Sequence, residues 1–417
     1  MTTPQSIHVL NGEPTVTTAF QRQLAQAFQN IAERGLPRSW VEDIRERFEI
    51  DLSSDYGGIP IENPFGKASG QLSMTCNQVA EDIQSRLGFV VLKTVIAQDE
   101  SGLQSMSPWS VRESKMTVEP ITGRSGETGW TVSWKGRGWW QSFDDYLELV
   151  VESAKLARGT GIPIVPSVKY HLPTQETEKW RVEEYRFTTQ RILEAWQRGT
   201  GVQTGMPLEK DFSPTLAGSE KARDQERILK WLREVPGLIR ESVPTDSVRI
   251  GLKLMNTLYE DEFQRRMLHE VTTAETCADF FVYGNRLFDP DRIYEGHQGI
   301  AFGGPDLSDR NLKVMESMAE ECRLPWSATG NITTGRMAME YALCGASSFQ
   351  MHTVFQLPTT EYSMKTGSRT SRALHDLVYH PSDGLLVWMK HIATICDIDQ
   401  NPLRFRDLIG LRRQMAD

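Results

Sequence analysis

Six short apolar runs, each with a polar residue at or near its C-terminal end, constrain this chain more than any other feature. They are GFVVLKTV (88–95), GIPIVPSVKY (161–170), VRIGLKLM (248–255), ADFFVYGN (278–285), PWSATGN (325–331) and SSFQMHT (347–353). An unbroken apolar run is the pattern of a parallel strand buried on both faces; a strand with one wet face alternates. Helical periodicity fills the gaps. FDDYLELVVESAKLARG sets Phe143, Tyr146, Leu147, Val150, Val151 and Ala154 on one face, and ERILKWLREVPGLI does the same with Ile228, Trp231, Leu232 and Val235. Strands alternating with helices are βαβ units on a parallel sheet. Many such units without an early Gly-x-Gly-x-x-Gly predict an α/β chain folded as a (β/α)8 TIM barrel.

The flanks read differently. FQRQLAQAFQNIAERG places Phe20, Leu24, Phe28 and Ile31 three and four apart, and SWVEDIRERFEI continues with Trp40, Ile44 and Phe48. The expected organisation is a helical extension over 1–57, a barrel over 58–356 and a helical cap over 357–417. Residues 95–142, rich in Ser, Gly, Thr and Trp, predict a long loop or small β-excursion that shapes the barrel mouth, with Trp134, Trp139 and Trp140 as wall or satellite-core candidates.

Bulk properties exclude several classes. A net charge of −9 gives no general attraction to nucleic acid or an anionic membrane. Cysteines at 76, 277, 322, 344 and 396 form no Cys-x-x-Cys pair, so neither zinc nor an iron–sulfur cluster is signalled. Scattered free thiols and the absence of a signal-type apolar segment predict a cytoplasmic protein with no membrane span.

The stretch TGNITTG (329–335) joins an apolar run to a helix. Backbone N–H groups at a helix start favour an anion, and Gly330 allows close approach; ordinary N-capping by Asn331, Thr333 or Thr334 is the competing reading. Other small or polar residues end the neighbouring runs. Ala68, Ser69 and Gly70 close an early strand, Lys93 and Thr94 the next, Lys253 a middle one, and Asn285 a later one. Gly303 and Gly304 precede the anion loop, and His352 and Thr353 follow it. A lysine at a buried strand end is expensive unless paired or bound to an anion. Two such lysines suggest a phosphate-bearing cofactor.

Taken in order, NPFGKASG, VVLKTV, GLKL, VYGNRL, FGGPDLS and ATGNITTGRMAMEYALCGASSFQMHT resemble the landmarks of the dihydroorotate and dihydropyrimidine dehydrogenase FMN barrels, over roughly residues 58–356. The resemblance implies an FMN-binding (β/α)8 barrel that moves a hydride between flavin N5 and a C–C bond beside a carbonyl, a chemistry of pyrimidine metabolism. It implies that Ala68, Ser69 and Gly70 surround the flavin ring, that Lys93 and Thr94 touch ring or ribityl, and that Lys253 lies near the N1–O2 edge. Gly303, Gly304, Gly330, Asn331, His352 and Thr353 would surround the phosphate, and Asn285 would face cofactor and substrate.

The family's acid/base stretch aligns with MPLEKDFSPTLAG (206–218), making Ser213 the proton-transfer residue and Asp211 the neighbour that activates it. A plain Ser-Pro turn is the alternative. The family's amide-bearing substrate loop corresponds to WKGRGWW (134–140), where Lys135 and Arg137 become the substrate contacts. The missing amides suggest a larger or more aromatic substrate; dihydroorotate stays the default named substrate, with another cyclic amide or enone beside it. The electron partner is unassigned, and a homodimer is an expectation from the resemblance. Two other readings stand beside this one: a flavin-free phosphate-binding isomerase or aldolase with Lys93 or Lys253 as Schiff-base lysine, and a non-catalytic barrel relative.

Overall fold

The computed structural model describes residues 7–110, 112, 116–134, 138–212, 224–273, 278–294 and 297–415. Its centre is a curled parallel sheet of ten short strands. They are β1 (Phe65–Lys67), β2 (Phe89–Val91), β3 (Val95–Ile96), β4 (Ile164–Val165), β5 (Ser167–Lys169), β6 (Met206–Asp211), β7 (Val248–Lys253), β8 (Phe280–Tyr283), β9 (Trp326–Thr329) and β10 (Ser348–Met351). Hydrogen bonds order them β3-β5-β6-β7-β8-β9-β10-β1-β2-β4, every neighbour parallel.

The expected uninterrupted, closed ring needs correction. The ladder has two ends, at β3 and β4, and both fall on one seam. Pro166, which has no N–H to donate, divides β4 from β5. Residues 92–94 divide β2 from β3. The two broken passes still run side by side, for β2 pairs with β4 and β3 with β5, and Leu92 N–H reaches Val165 O at 2.9 Å.

Inside the curl an apolar floor of Tyr56, Ile61, Phe89, Val91, Val165, Phe280 and Val282 forms its own cluster. Two glycines make it possible. A Cβ on Gly66 would sit 2.3 Å from the Phe89 ring, and one on Gly251 2.2 Å from the Phe280 ring. The antiparallel hairpin Ser54–Tyr56 with Ile59–Ile61 supplies Tyr56 and Ile61 to this floor. It turns through Gly57 and Gly58 at positive φ.

Helices cover the outside: α1 (Thr18–Arg34), α2 (Trp40–Phe48), α3 (Cys76–Gln84), α4 (Phe143–Leu156), α5 (Val182–Thr200), α6 (Gln225–Glu241), α7 (Asp261–Thr273), α8 (Pro305–Met318), α9 (Gly335–Leu343), α10 (Arg369–Tyr379) and α11 (Leu385–Ile395). Several begin where the sequence offers a cap. Thr75 and Gln78 form a capping box on α3, Ser142 and Asp145 one on α4, and Thr334 accepts from Met337 N–H at the start of α9.

The terminal segments lock together. His375 stacks on Phe28 at 4.3 Å, and Ile50–Asp51 pairs in parallel with Leu403–Arg404. One hydrophobic core runs from Leu24 and Trp40 through the sheet's outer face to Trp388 and Leu408. Among the described residues no helix is long and apolar enough to cross a membrane.

The excursion expected within 95–142 is a β-hairpin, Met116–Thr122 with Thr128–Trp134. A second hairpin, Leu287–Tyr294 with His297–Phe302, follows β8. It was not anticipated. Its sequence LFDPDRIY carries Pro290 and three charges in one block between its apolar ends, so it shows no strand-like alternation.

Candidate functional site

The turns after β1, β8, β9 and β10 converge on one cleft. Ala68, Ser69, Gly70, Asn285, Gly303, Gly304, Gly330, Asn331, His352 and Thr353, singled out from the sequence, all line it. Two helices, α8 and α9, start beside it, with Gly304 and Thr334 at their N-cap positions. Helix starts present unsatisfied N–H groups and partial positive charge.

The local geometry explains the residue choices. Gly330 has φ of +108° and Asn331 +54°, so the chain turns through left-handed backbone just past β9. Tyr341 OH, from α9, donates to Gly330 O at 3.0 Å. Asn331 Nδ2 donates to Ser308 Oγ at 2.9 Å, while its Oδ1 is buried with no protein partner. Gly303 N–H donates to Thr131 Oγ1 in the first hairpin at 2.9 Å. A Cβ on Gly303 would meet nothing closer than 3.8 Å, so its missing side chain leaves open space in the cleft. Gly335 differs. A Cβ there would sit 2.0 Å from Leu385 N, which makes it a packing glycine between α9 and α11.

His352 lies against Gly70, where a Cβ would stand 2.2 Å from the imidazole Nε2. Both ring nitrogens are out of contact with solvent and have no hydrogen-bond partner. Burial first, then the positive charges of Lys67, Arg286, Lys93 and Lys253, hold its pKa well below the usual histidine value. The imidazole is therefore neutral at pH 7, with one N–H and one lone pair facing the cleft region.

Behind the wall stands a group of buried charges. Lys253 donates to Gln350 Oε1 at 3.1 Å, and Gln350 in turn lines the cleft. Ser69 shares a hydrogen bond with Thr94 at 2.8 Å, and Thr94 another with Ser167 at 2.9 Å. The register puts Asp211 beside Lys253, and Lys169 Nζ stands 3.7 Å from Asp211 Oδ2. Burial pushes the Lys93 ammonium down to about 8, opposed by Asp211 and reinforced by Lys253, Arg286 and Lys169. Arg286 lines the cleft and donates to Val132 O at 2.6 Å, tying the first hairpin to the end of β8; burial lowers its pKa to about 10.

Lys93, Lys169, Lys253 and Arg286 gather around the buried Asp211. Several cations close together in a low-dielectric interior suit an anionic ligand.

Sequence reasoning missed part of this group. Lys169 ends its strand as Lys93 and Lys253 end theirs, and the same signal was present in SVKY. Lys67, by contrast, pairs on the outer face with Asp82 at 3.0 Å and donates to Thr370 Oγ1 at 3.1 Å. Trp139 is buried, donates to Ser142 O and packs edge-on to Tyr146, so it belongs to the core. Trp130, not Trp139 or Trp140, lines the cleft. Asp211 is buried at the end of β6. Ser213, Lys135 and Arg137 lie outside the described residues.

No family model matches the sequence, and no curated protein sequence matches it. Among solved structures the chain is similar to the DHODH of Eimeria tenella, determined in complex with ferulenol, at a TM-score of 0.54 and 13% identity, covering 94% of each chain. Similarity at this identity bears on the fold, which is DHODH-like.

Proposed function

We propose that this protein is an FMN-dependent oxidoreductase whose cleft holds the FMN phosphate. The observation that carries the proposal is the convergence of Gly303, Gly304, Gly330, Asn331, His352 and Thr353 on one cleft at two helix starts. The polar groups fit the cofactor. The neutral His352 has one N–H to donate to a phosphate oxygen, while Asn331 Oδ1 is an acceptor that a ligand hydroxyl would satisfy; all are buried without protein partners, and leaving one such atom unsatisfied costs about 1–3 kcal/mol. Gly303 leaves room for a ligand to approach the backbone. We read the curled sheet as a (β/α)8 barrel whose second and third passes are each broken at the seam.

FMN, when bound, supplies two-electron hydride chemistry toward a C–C bond next to a carbonyl. The chain's own residues do the rest. Ala68, Ser69 and Gly70 hold the ring's surroundings, and Lys253 and Lys93 supply positive charge. Trp130 and Val132, in the hairpin over the cleft, keep water out. Asp211, with Ser213 two residues on, moves the substrate proton. The substrate is dihydroorotate or another cyclic amide or enone.

The test is the visible spectrum of the purified protein and of its supernatant after heat denaturation. A yellow protein releasing FMN is the expected result; a colourless protein that also takes up no added FMN would sink the proposal. One observation favours a flavin-free Schiff-base enzyme instead: the Lys93 amine, with its pKa near 8, is less firmly protonated than an ordinary lysine. Borohydride trapping of a carbonyl substrate on Lys93 would establish that alternative.

A further inference from the structure

We infer that Glu209, acting through the Gln350 amide, sets the charge environment of Lys253 and thereby tunes the reduction potential of the cofactor; this rests on the FMN reading above.

Four buried side chains from three sheet strands and the floor hairpin form one connected chain. Lys253 Nζ donates to Gln350 Oε1 at 3.1 Å. Gln350 Nε2 donates to Glu209 Oε1 and lies 3.1 Å from the Tyr56 hydroxyl. Tyr56 OH donates to the same Glu209 oxygen. None of the four exceeds 3% relative exposure.

The amide can work in only one orientation. Its carbonyl faces an ammonium and its NH₂ a carboxylate; turned over, it would lose both bonds and oppose like to like. Gln350 therefore passes the position of Glu209 on to Lys253, and Gln350 itself reaches the cleft wall. Glu209 Oε2 is buried with no hydrogen-bond donor, so no donor disperses its charge on that side. In a dry interior such a charge acts over several ångströms. It opposes the gain of negative charge that accompanies reduction of a cofactor held near Lys253. Glu209 and Gln350 are positioning residues here, since neither is placed to exchange a proton with substrate.

A purely structural role for the same network predicts changed stability and nothing else. The two roles separate in the midpoint potential of the FMN-loaded full-length protein, measured by dye-coupled reductive titration. Glu209→Gln keeps an acceptor oxygen for Tyr56 and Gln350 and removes only the charge. Its potential should move positive, with reduced FMN gaining at least tenfold in affinity relative to oxidised FMN. That ratio corresponds to about 30 mV for a two-electron couple.

Tyr56→Phe removes one donor and leaves the ring stacked on Phe89. It leaves the Glu209 charge with one donor fewer to disperse it, so the potential should move negative, by less than Glu209→Gln moves it positive, and it decides the matter if Glu209→Gln does not fold. Loaded variants with wild-type potentials, a negative shift in Glu209→Gln or a positive shift in Tyr56→Phe overturn the inference alone. Wild-type protein that takes up no FMN overturns the functional reading and this inference together.

Discussion

Gly70 and Gly303 border the same cleft, yet they are glycines for different reasons. Gly70 makes room for the His352 imidazole, while Gly303 faces open space. Gly303→Ala should therefore leave thermal stability within about 0.5 kcal/mol of wild type and weaken FMN binding at least tenfold. Gly70→Ala should lower both. Calorimetry and fluorescence titration measure the two quantities, and equal stability losses would refute the distinction. Lys93 makes a prediction about pH. Its folded-state pKa near 8 lies below the ordinary 10.5, so between these values the unfolded chain holds a proton that the folded chain has released. Stability of the ligand-free protein should rise with pH across that window, by on the order of 3 kcal/mol from this group alone. Binding of an anionic cofactor should weaken as pH climbs past about 8, when the cation is lost. Lys93→Met should flatten both profiles; if wild type is already flat, the assignment to Lys93 fails.

The two hairpins are elements without a core of their own, and they depend on what fastens them. Arg286 joins them, donating to Val132 O in the first and, at 3.4 Å, to Ala301 O in the second. Thr131 adds the bond from Gly303 N–H. Arg286→Leu should speed hydrogen exchange at the paired amides of the first hairpin, Val118 and Val132 among them, by tenfold or more, with little change in the exchange of β6 or β7. Uniform protection would mean that the guanidinium does not fasten the hairpin. These same elements mark where sequence reasoning stopped. Unbroken apolar runs are legible because burial on both faces leaves no alternation, and Asn285, Gly330, Asn331, His352 and Thr353 are legible because they end such runs. The second hairpin is not legible, since its charges face solvent and its pairing follows from contact with the first. The break at Pro166 was in plain view within GIPIVPSVKY, but an apolar run looks the same whether it forms one strand or two. Lys169 stands near the end of that run, where a single lysine among apolar residues does not by itself distinguish a buried cation from one at a strand's wet edge. The network around Glu209 depends on contacts between distant strands, which no local pattern encodes.

At the scale of the molecule both ends of the described chain converge on α9, the helix that follows the Gly330–Asn331 turn. Glu340 in α9 is 1% exposed and accepts from Leu10 N–H at 2.7 Å and from Arg412 Nη1 at 2.9 Å. Removing one partner of a buried charge costs about 3–5 kcal/mol. Arg412→Met should therefore lower the melting temperature by several degrees. It should also weaken FMN binding, because Tyr341 on the same helix holds Gly330 O; unchanged affinity in the destabilised variant would show that the clamp and the cleft are independent. The parallel pairing of Ile50–Asp51 with Leu403–Arg404 has a consequence for biosynthesis. Arg406 reaches Ser54 O across 352 positions of chain, so the early segment emerges from the ribosome long before its partner exists. A nascent chain must keep that edge unpaired while the sheet assembles, exposed to chaperones and proteases. The cleft beside α8 and α9 would become competent only after translation has passed Arg412.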